Sequence, residues 1–147
     1  MTESAQLFDY IVNIRRQYLD LMNKKLSTFQ LSSAQWLVLK IIVQHAPDSI
    51  TLVEISKLRH IEKPTATKLI QYLLEHQFIE THPSTDKRKK KLLPTPKGIT
   101  TYQEVMNMVH DTQDSLTTSI SNDTIKQINS DLAKLYNNLL TLKEKED

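Results

Sequence analysis

Five consecutive cations, Lys87-Arg88-Lys89-Lys90-Lys91, follow Asp86, and upstream of them stand Lys63, Thr65, Thr67, Lys68, Gln71 and Tyr72. A run of ammonium and guanidinium groups neutralises phosphates, and threonine and glutamine side chains can read the edges and methyl groups of bases. The charge around them is uneven. Residues 51–100 hold ten Lys/Arg against five Asp/Glu, a surplus of +5, whereas residues 1–50 carry +1 and residues 101–147 carry −4. A basic middle between neutral and acidic flanks points to an anionic partner addressed by one segment.

Other chemistries find little footing. The five histidines (His45, His60, His76, His82, His110) form neither a His-x3-His pair nor a His-Glu-x-x-His motif, so no recognised metal site is written here. The chain has no cysteine, which removes disulfides, thiolate-bound zinc, iron–sulfur clusters and thiol nucleophiles together. Gly98 is the one glycine, too few for a phosphate cradle, a dinucleotide-binding turn or a nucleophile elbow. No nucleophile–base pairing is visible, and the sequence predicts a protein that is not an enzyme and needs no cofactor.

The elements that position these residues follow from periodicity and caps. Leu7, Ile11, Ile14, Tyr18 and Leu21, beside Phe8, Val12, Leu19, Met22 and Leu26, lay a wide apolar face on a helix over 5–28. Ser32-Ser33 cap a second helix to His45, apolar nearly all round and hence central to the core. Thr51-Leu52-Val53-Glu54 has the form of a capping box and opens a short helix to Leu58. After a turn, Pro64 sits in the first turn of a fourth helix, where its missing N–H is no loss. That helix buries Ala66, Leu69, Ile70, Leu73 and Leu74, which leaves Thr65, Thr67, Lys68, Gln71 and Tyr72 outward. Phe78 to His82 and Lys91 to Leu93 read as two strands around a Pro83–Asp86 turn, with Pro94 marking an edge or the strand's end. Two more amphipathic helices follow. One runs through Ile99, Tyr102, Val105, Val109, Leu116 and Ile120; the other, capped by Ser121, through Ile125, Ile128, Leu132, Leu135, Leu139 and Leu142.

The predicted fold is therefore mainly α with a small β-hairpin wing: a winged helix-turn-helix over residues 33–98, flanked by dimerisation helices at 5–28 and 99–143, in one domain of residues 1–147. A short helix, a turn and a helix with a polar outward half is the arrangement that enters a major groove ~12 Å wide. A hairpin tipped with lysine and arginine beside it reaches the backbone or the adjacent minor groove. Apolar stripes this long exceed what one small core covers, so a second copy of the chain is expected against them. The bland readings remain open: the lysine run as a solvated turn, the polar face as a merely wet helix surface.

In this order and spacing the segments resemble the MarR family of bacterial transcription regulators. The resemblance rests on Gln35-Trp36-Leu37-Val38-Leu39, Thr51-Leu52-Val53-Glu54-Ile55, Lys63-Pro64-Thr65-Ala66-Thr67-Lys68-Leu69, Asp86-Lys87-Arg88 and Pro94-Thr95-Pro96-Lys97-Gly98. Gln77 and Glu62 stand where the family often has glycine and serine, and Pro94 where it usually has leucine. The family implies a homodimeric repressor on a palindromic double-stranded DNA operator, with Lys63, Thr65, Thr67, Lys68, Gln71, Tyr72, Asp86, Lys87, Arg88, Lys89 and Lys90 at the DNA. Arg88 would enter the minor groove, oriented by Asp86. It also implies a small aromatic or anionic effector between the dimer helices and the DNA-binding lobe. Arg15 is the first candidate anchor for its carboxylate, with Tyr102 and His45 behind it; the plainer reading of Arg15 is an interchain ion pair or a snorkelling side chain.

Two expectations complete the reading. Residues 1–6 lack a signal peptide's basic and apolar regions, and the longest apolar run, Trp36–Val43, is broken by Lys40, so a cytoplasmic protein without a membrane partner is expected. The other class of function is a winged helix used for protein–protein interaction without DNA, its wing against an acidic partner.

Overall fold

A computed structural model describes residues 1–84 and 89–147. The elements run α1 (Glu3–Ser27), α2 (Ser33–His45), β1 (Ile50–Thr51), α3 (Leu52–Arg59), α4 (Lys63–Glu75), β2 (Ile79–His82), β3 (Lys91–Pro94), α5 (Pro96–Thr117) and α6 (Asn122–Glu146). Three of the caps that delimit them are those the sequence advertises. Ser32 and Gln35 close a reciprocal capping box on α2, and Thr51 and Glu54 another on α3. Ser121 caps α6, accepting from the Thr124 amide. Each satisfies a backbone N–H that a helix start leaves without an internal partner.

The chain divides into two compact units, residues 1–108 and 109–147. In the first, α2 is the central element, with Trp36, Val38, Leu39 and Ile42 buried. Leu26 of α1, Ile55 of α3, Ala66, Ile70 and Leu73 of α4, Phe78, and Val105 of α5 complete the core, all but closed to solvent. The second unit holds the end of α5 and all of α6, which has no buried residue of its own.

The sheet has three antiparallel strands in the order β1-β3-β2. Ile79 faces Pro94 and His82 faces Lys91 across the hairpin, while Ile50 and Thr51 pair with Leu92 and Lys91. The two-residue β1 was not expected, and it makes β3 the central strand. Pro94 therefore marks the strand's end and not a sheet edge: β1 pairs only Lys91 and Leu92, so no ladder bond to β1 is lost at Pro94.

Both limits of α5 also differ from expectation. α5 starts at Pro96, three residues before its first stripe residue, because Thr95 caps it: the Gly98 amide donates to the Thr95 hydroxyl at 3.0 Å. α5 stops at Thr117, so Ile120 lies in the turn before α6 and not on the helix. No helix among the described residues is long and apolar enough to cross a membrane.

Candidate nucleic-acid interface

The turn between α3 and α4 is made by backbone geometry. His60 caps α3 in the left-handed region at φ 52°, with its N–H bonded back to the Lys57 carbonyl. The chain then enters α4 at Glu62, whose side chain makes no capping bond, with Pro64 in the first turn. A carboxylate there is close to the N-terminal positive end of α4. It stabilises the free helix but opposes an incoming phosphate.

α4 buries Ala66, Ile70 and Leu73 at helical spacing, and this fixes which side chains point away. Lys63, Thr65, Thr67, Lys68 and Gln71 are exposed. Pairs three and four apart (Thr65 and Lys68, Thr67 and Gln71, Lys68 and Gln71) make one contiguous polar face. Thr67 donates its hydroxyl proton to the Lys63 carbonyl at 2.8 Å, so it can offer a base only its methyl and an acceptor oxygen. Lys68 and Gln71 have no such commitment among the described residues.

Tyr72 corrects the expectation. The helical pattern places it outward, but it is half-buried. Its ring stacks on His76, with centroids 3.9 Å apart, and its hydroxyl donates to the carbonyl of Gln30 in the α1–α2 connection. These contacts tie Tyr72 to the scaffold behind the polar face.

On the wing, Lys89, Lys90 and Lys91 are exposed, and no ion pair among the described residues neutralises them. Asp86, Lys87 and Arg88, the other wing candidates, lie outside the described residues. Lys63, Lys89 and Lys90 come together around a cleft of about 360 Å³ between the start of α3, α4 and the wing, floored by Leu52, Ile70, Leu74 and Leu92. Cations from two elements distant in sequence thus border one surface, as an interface tracking a polyanion requires.

The wing's root explains the Thr-x-x-Gly segment. The Thr95 amide donates to the Phe78 carbonyl at 3.1 Å and its hydroxyl to the Gln77 carbonyl at 2.6 Å. Gly98 lies against the same carbonyl: a Cβ there would stand 2.0 Å from the Phe78 oxygen. Its glycine is required for close approach and not for φ. Gln77 does carry a positive φ, 61°, a conformation that glycine adopts without strain.

The three effector candidates lie on three different helices, α1, α5 and α2. Arg15 is exposed on α1 and borders an open groove with Arg16, Gln17, Leu19, Asp20 and Asn23. Tyr102 of α5 stacks on Trp36 with ring centroids 5.5 Å apart, and its hydroxyl accepts from Gln44 Nε2 at 3.2 Å. His45, at the end of α2, is exposed. Sequence reasoning passed over His76 and Lys97. The four-residue step from Tyr72 to His76 was a usable signal for a stacked pair; Lys97, far along the chain, carried none. Among the described residues no group of His, Asp and Glu could hold a metal ion.

Comparison with known proteins agrees with this architecture. A sequence model of the MarR family matches residues 31–91, the span from α2 into β3. An uncharacterised HTH-type transcriptional regulator of Staphylococcus aureus strain Mu50 is 36% identical over 140 residues, 93% of this chain and 94% of the relative. Among solved structures, S. aureus MarR in complex with salicylate and kanamycin superposes with a TM-score of 0.83 at 35% identity, covering 94% of this chain and 93% of the other. A cysteine-to-serine variant of MarR from E. coli, complexed with operator DNA, shares the fold at TM-score 0.74 and 24% identity, over 90% and 95% of the two chains. The chain belongs to the MarR family of transcription regulators, DNA-binding proteins of the winged helix-turn-helix fold.

Proposed function

We propose that the protein is a cytoplasmic repressor that binds a palindromic operator as a homodimer and releases it when a small aromatic or anionic effector binds. Residues 33–98 form the DNA-binding lobe, and 5–28 with 99–143 the dimerisation helices. The observation that carries the reading is the contiguous exposed face of Thr65, Thr67, Lys68 and Gln71 beside the lysine-bordered wing. Gln71 and Thr65 contact base edges, while Lys63, Lys68, Lys89 and Lys90 neutralise phosphates. Asp86, Lys87 and Arg88 extend the wing's contacts, with Arg88 in the minor groove.

Dimerisation is supported by apolar surface that the single chain leaves open. Ile128, Leu132, Leu139 and Leu142 of α6 are 40–57% exposed, and Leu7, Phe8, Val12 and Ile14 of α1 are 44–63% exposed. Exposed apolar stripes on both terminal helices are unfavourable in water and suit a self-complementary interface. The salicylate complex of the S. aureus relative supports an aromatic acid as effector, with Arg15, Tyr102 and His45 as candidate contacts. Such a ligand lowers DNA affinity only by preferring a dimer whose recognition helices are misaligned with the operator.

The test is titration of the protein onto the DNA upstream of its own gene, with and without salicylate. Saturation at two chains per site, reversed by the acid, is expected. Binding at one chain per site, or indifference to aromatic acids at millimolar levels, contradicts the dimer or the effector respectively.

A further inference from the structure

We propose that Tyr72 and Lys97 are positioning residues for DNA recognition, the two ends of a brace that holds the C-terminal half of α4 in register with the wing. Tyr72, half-buried, stacks on His76 with centroids 3.9 Å apart and 23° between planes. His76 lies parallel to Phe78 within 10°, centroids 6.4 Å apart, and Lys97 Nζ sits 4.6 Å from the centre of the Phe78 ring. The column is pinned at both ends by backbone. The Tyr72 hydroxyl donates to the Gln30 carbonyl, and Lys97 Nζ donates to the His76 carbonyl at 2.8 Å.

The electrostatics give Lys97 a definite task. α4 has no basic residue in its last turn, where a cation is favourable. Lys97 supplies that cation from the first turn of α5. The same ammonium lies over an aromatic face, a second attraction of the kind that fixes a flexible side chain. Phe78 and Lys97 flank the wing, one before β2 and the other just after β3, so the column ties α4, the wing's root and α5 into one piece. Tyr72 thereby serves recognition from behind the polar face rather than as a reader of bases.

The inference rests on the DNA-binding reading above, so its test includes an arm without DNA. Tyr72→Phe keeps the ring and deletes the Gln30 bond; Lys97→Met keeps the stem and deletes the charge; Lys97→Arg restores a donor cation. Amide hydrogen exchange of the free full-length protein should quicken across residues 72–78 in Lys97→Met and return toward wild type in Lys97→Arg. With the best duplex selected from a randomised library as probe, Tyr72→Phe and Lys97→Met should each lose roughly 3- to 10-fold in affinity, the range of one net hydrogen bond. Binding to a mixed-sequence duplex should stay within about twofold and the salt slope should not change, because no phosphate contact is removed. The double variant should lose less than the product of the two, as members of one brace do. A shallower salt slope with equal loss on both duplexes would make Lys97 a phosphate contact and overturn the proposal. So would unchanged exchange in Lys97→Met, or an altered base preference in Tyr72→Phe. Wild-type protein that enriches no duplex removes the DNA-binding reading and the proposal with it, even if the exchange arm succeeds.

Discussion

Gly98→Ala sets two effects of opposite sign against each other at the wing's root. Alanine is favoured over glycine inside a helix by about 1 kcal/mol, and Gly98 is in the first turn of α5. Against this, the new methyl would stand 2.0 Å from the Phe78 oxygen and 3.0 Å from its carbonyl carbon. Ordinary contact needs roughly 3.5 Å, so backbone must retreat by more than about 1 Å. Overpacking of that kind costs about 1–3 kcal/mol. The retreat also strains the Thr95 N–H bond to the Phe78 carbonyl, worth about 1 kcal/mol. The clash wins by about 2 kcal/mol. Urea denaturation should show that loss, and the thermal midpoint should fall by roughly 4–8 °C for a chain of this length. Unchanged or increased stability would mean that α5 does not pack on the Phe78 carbonyl and that glycine is tolerated there rather than required.

Replacing both Leu132 and Leu139 by Asp should yield folded monomers, since both are already 41–51% exposed in the single chain; sedimentation that still shows a dimer would place the interface elsewhere. Gln71→Ala should relax specificity at one position per half-site, at a cost of about 1–3 kcal/mol against the preferred base, measured by competition between duplexes differing at one pair. Lys89→Ala should weaken all duplexes alike and flatten the salt slope by about one per lost phosphate contact in each half-site. Arg88→Lys should keep non-specific affinity and lose discrimination at outer A/T positions, because a planar guanidinium senses groove width and an ammonium does not; equal losses on every duplex would reduce Arg88 to one more surface charge.

The features legible in the sequence were those with local causes. Ser32, Thr51 and Ser121 announce helix starts because a hydroxyl and an amide three residues on are enough to make the bond. Ala66, Ile70 and Leu73 define the polar face of α4 by spacing alone. What escaped depends on partners distant in the chain. β1 is two residues long, with no alternation to detect, and exists because Leu92 and Lys91 pair with it. Tyr72 sits at the border of the helical wheel, and a carbonyl at Gln30 decides which side it takes. Lys97 looks like any surface lysine until the end of α4 is placed beside it. The start of α5 has a local cause as well: the Thr95 hydroxyl and the proline after it set the helix start three residues before the first stripe residue, Ile99.

The central claim is that a pair of these chains reads two-fold symmetric DNA, and selection of duplexes from a random-sequence library by the wild-type protein tests it most directly. The account predicts an inverted repeat whose half-sites are centred about one helical turn apart, ~34–36 Å. Affinity for that repeat should fall with salt at a slope of roughly −5 to −9, as six to ten phosphate contacts imply. An unsymmetric enriched sequence, no enrichment at all, or a slope near zero would contradict it.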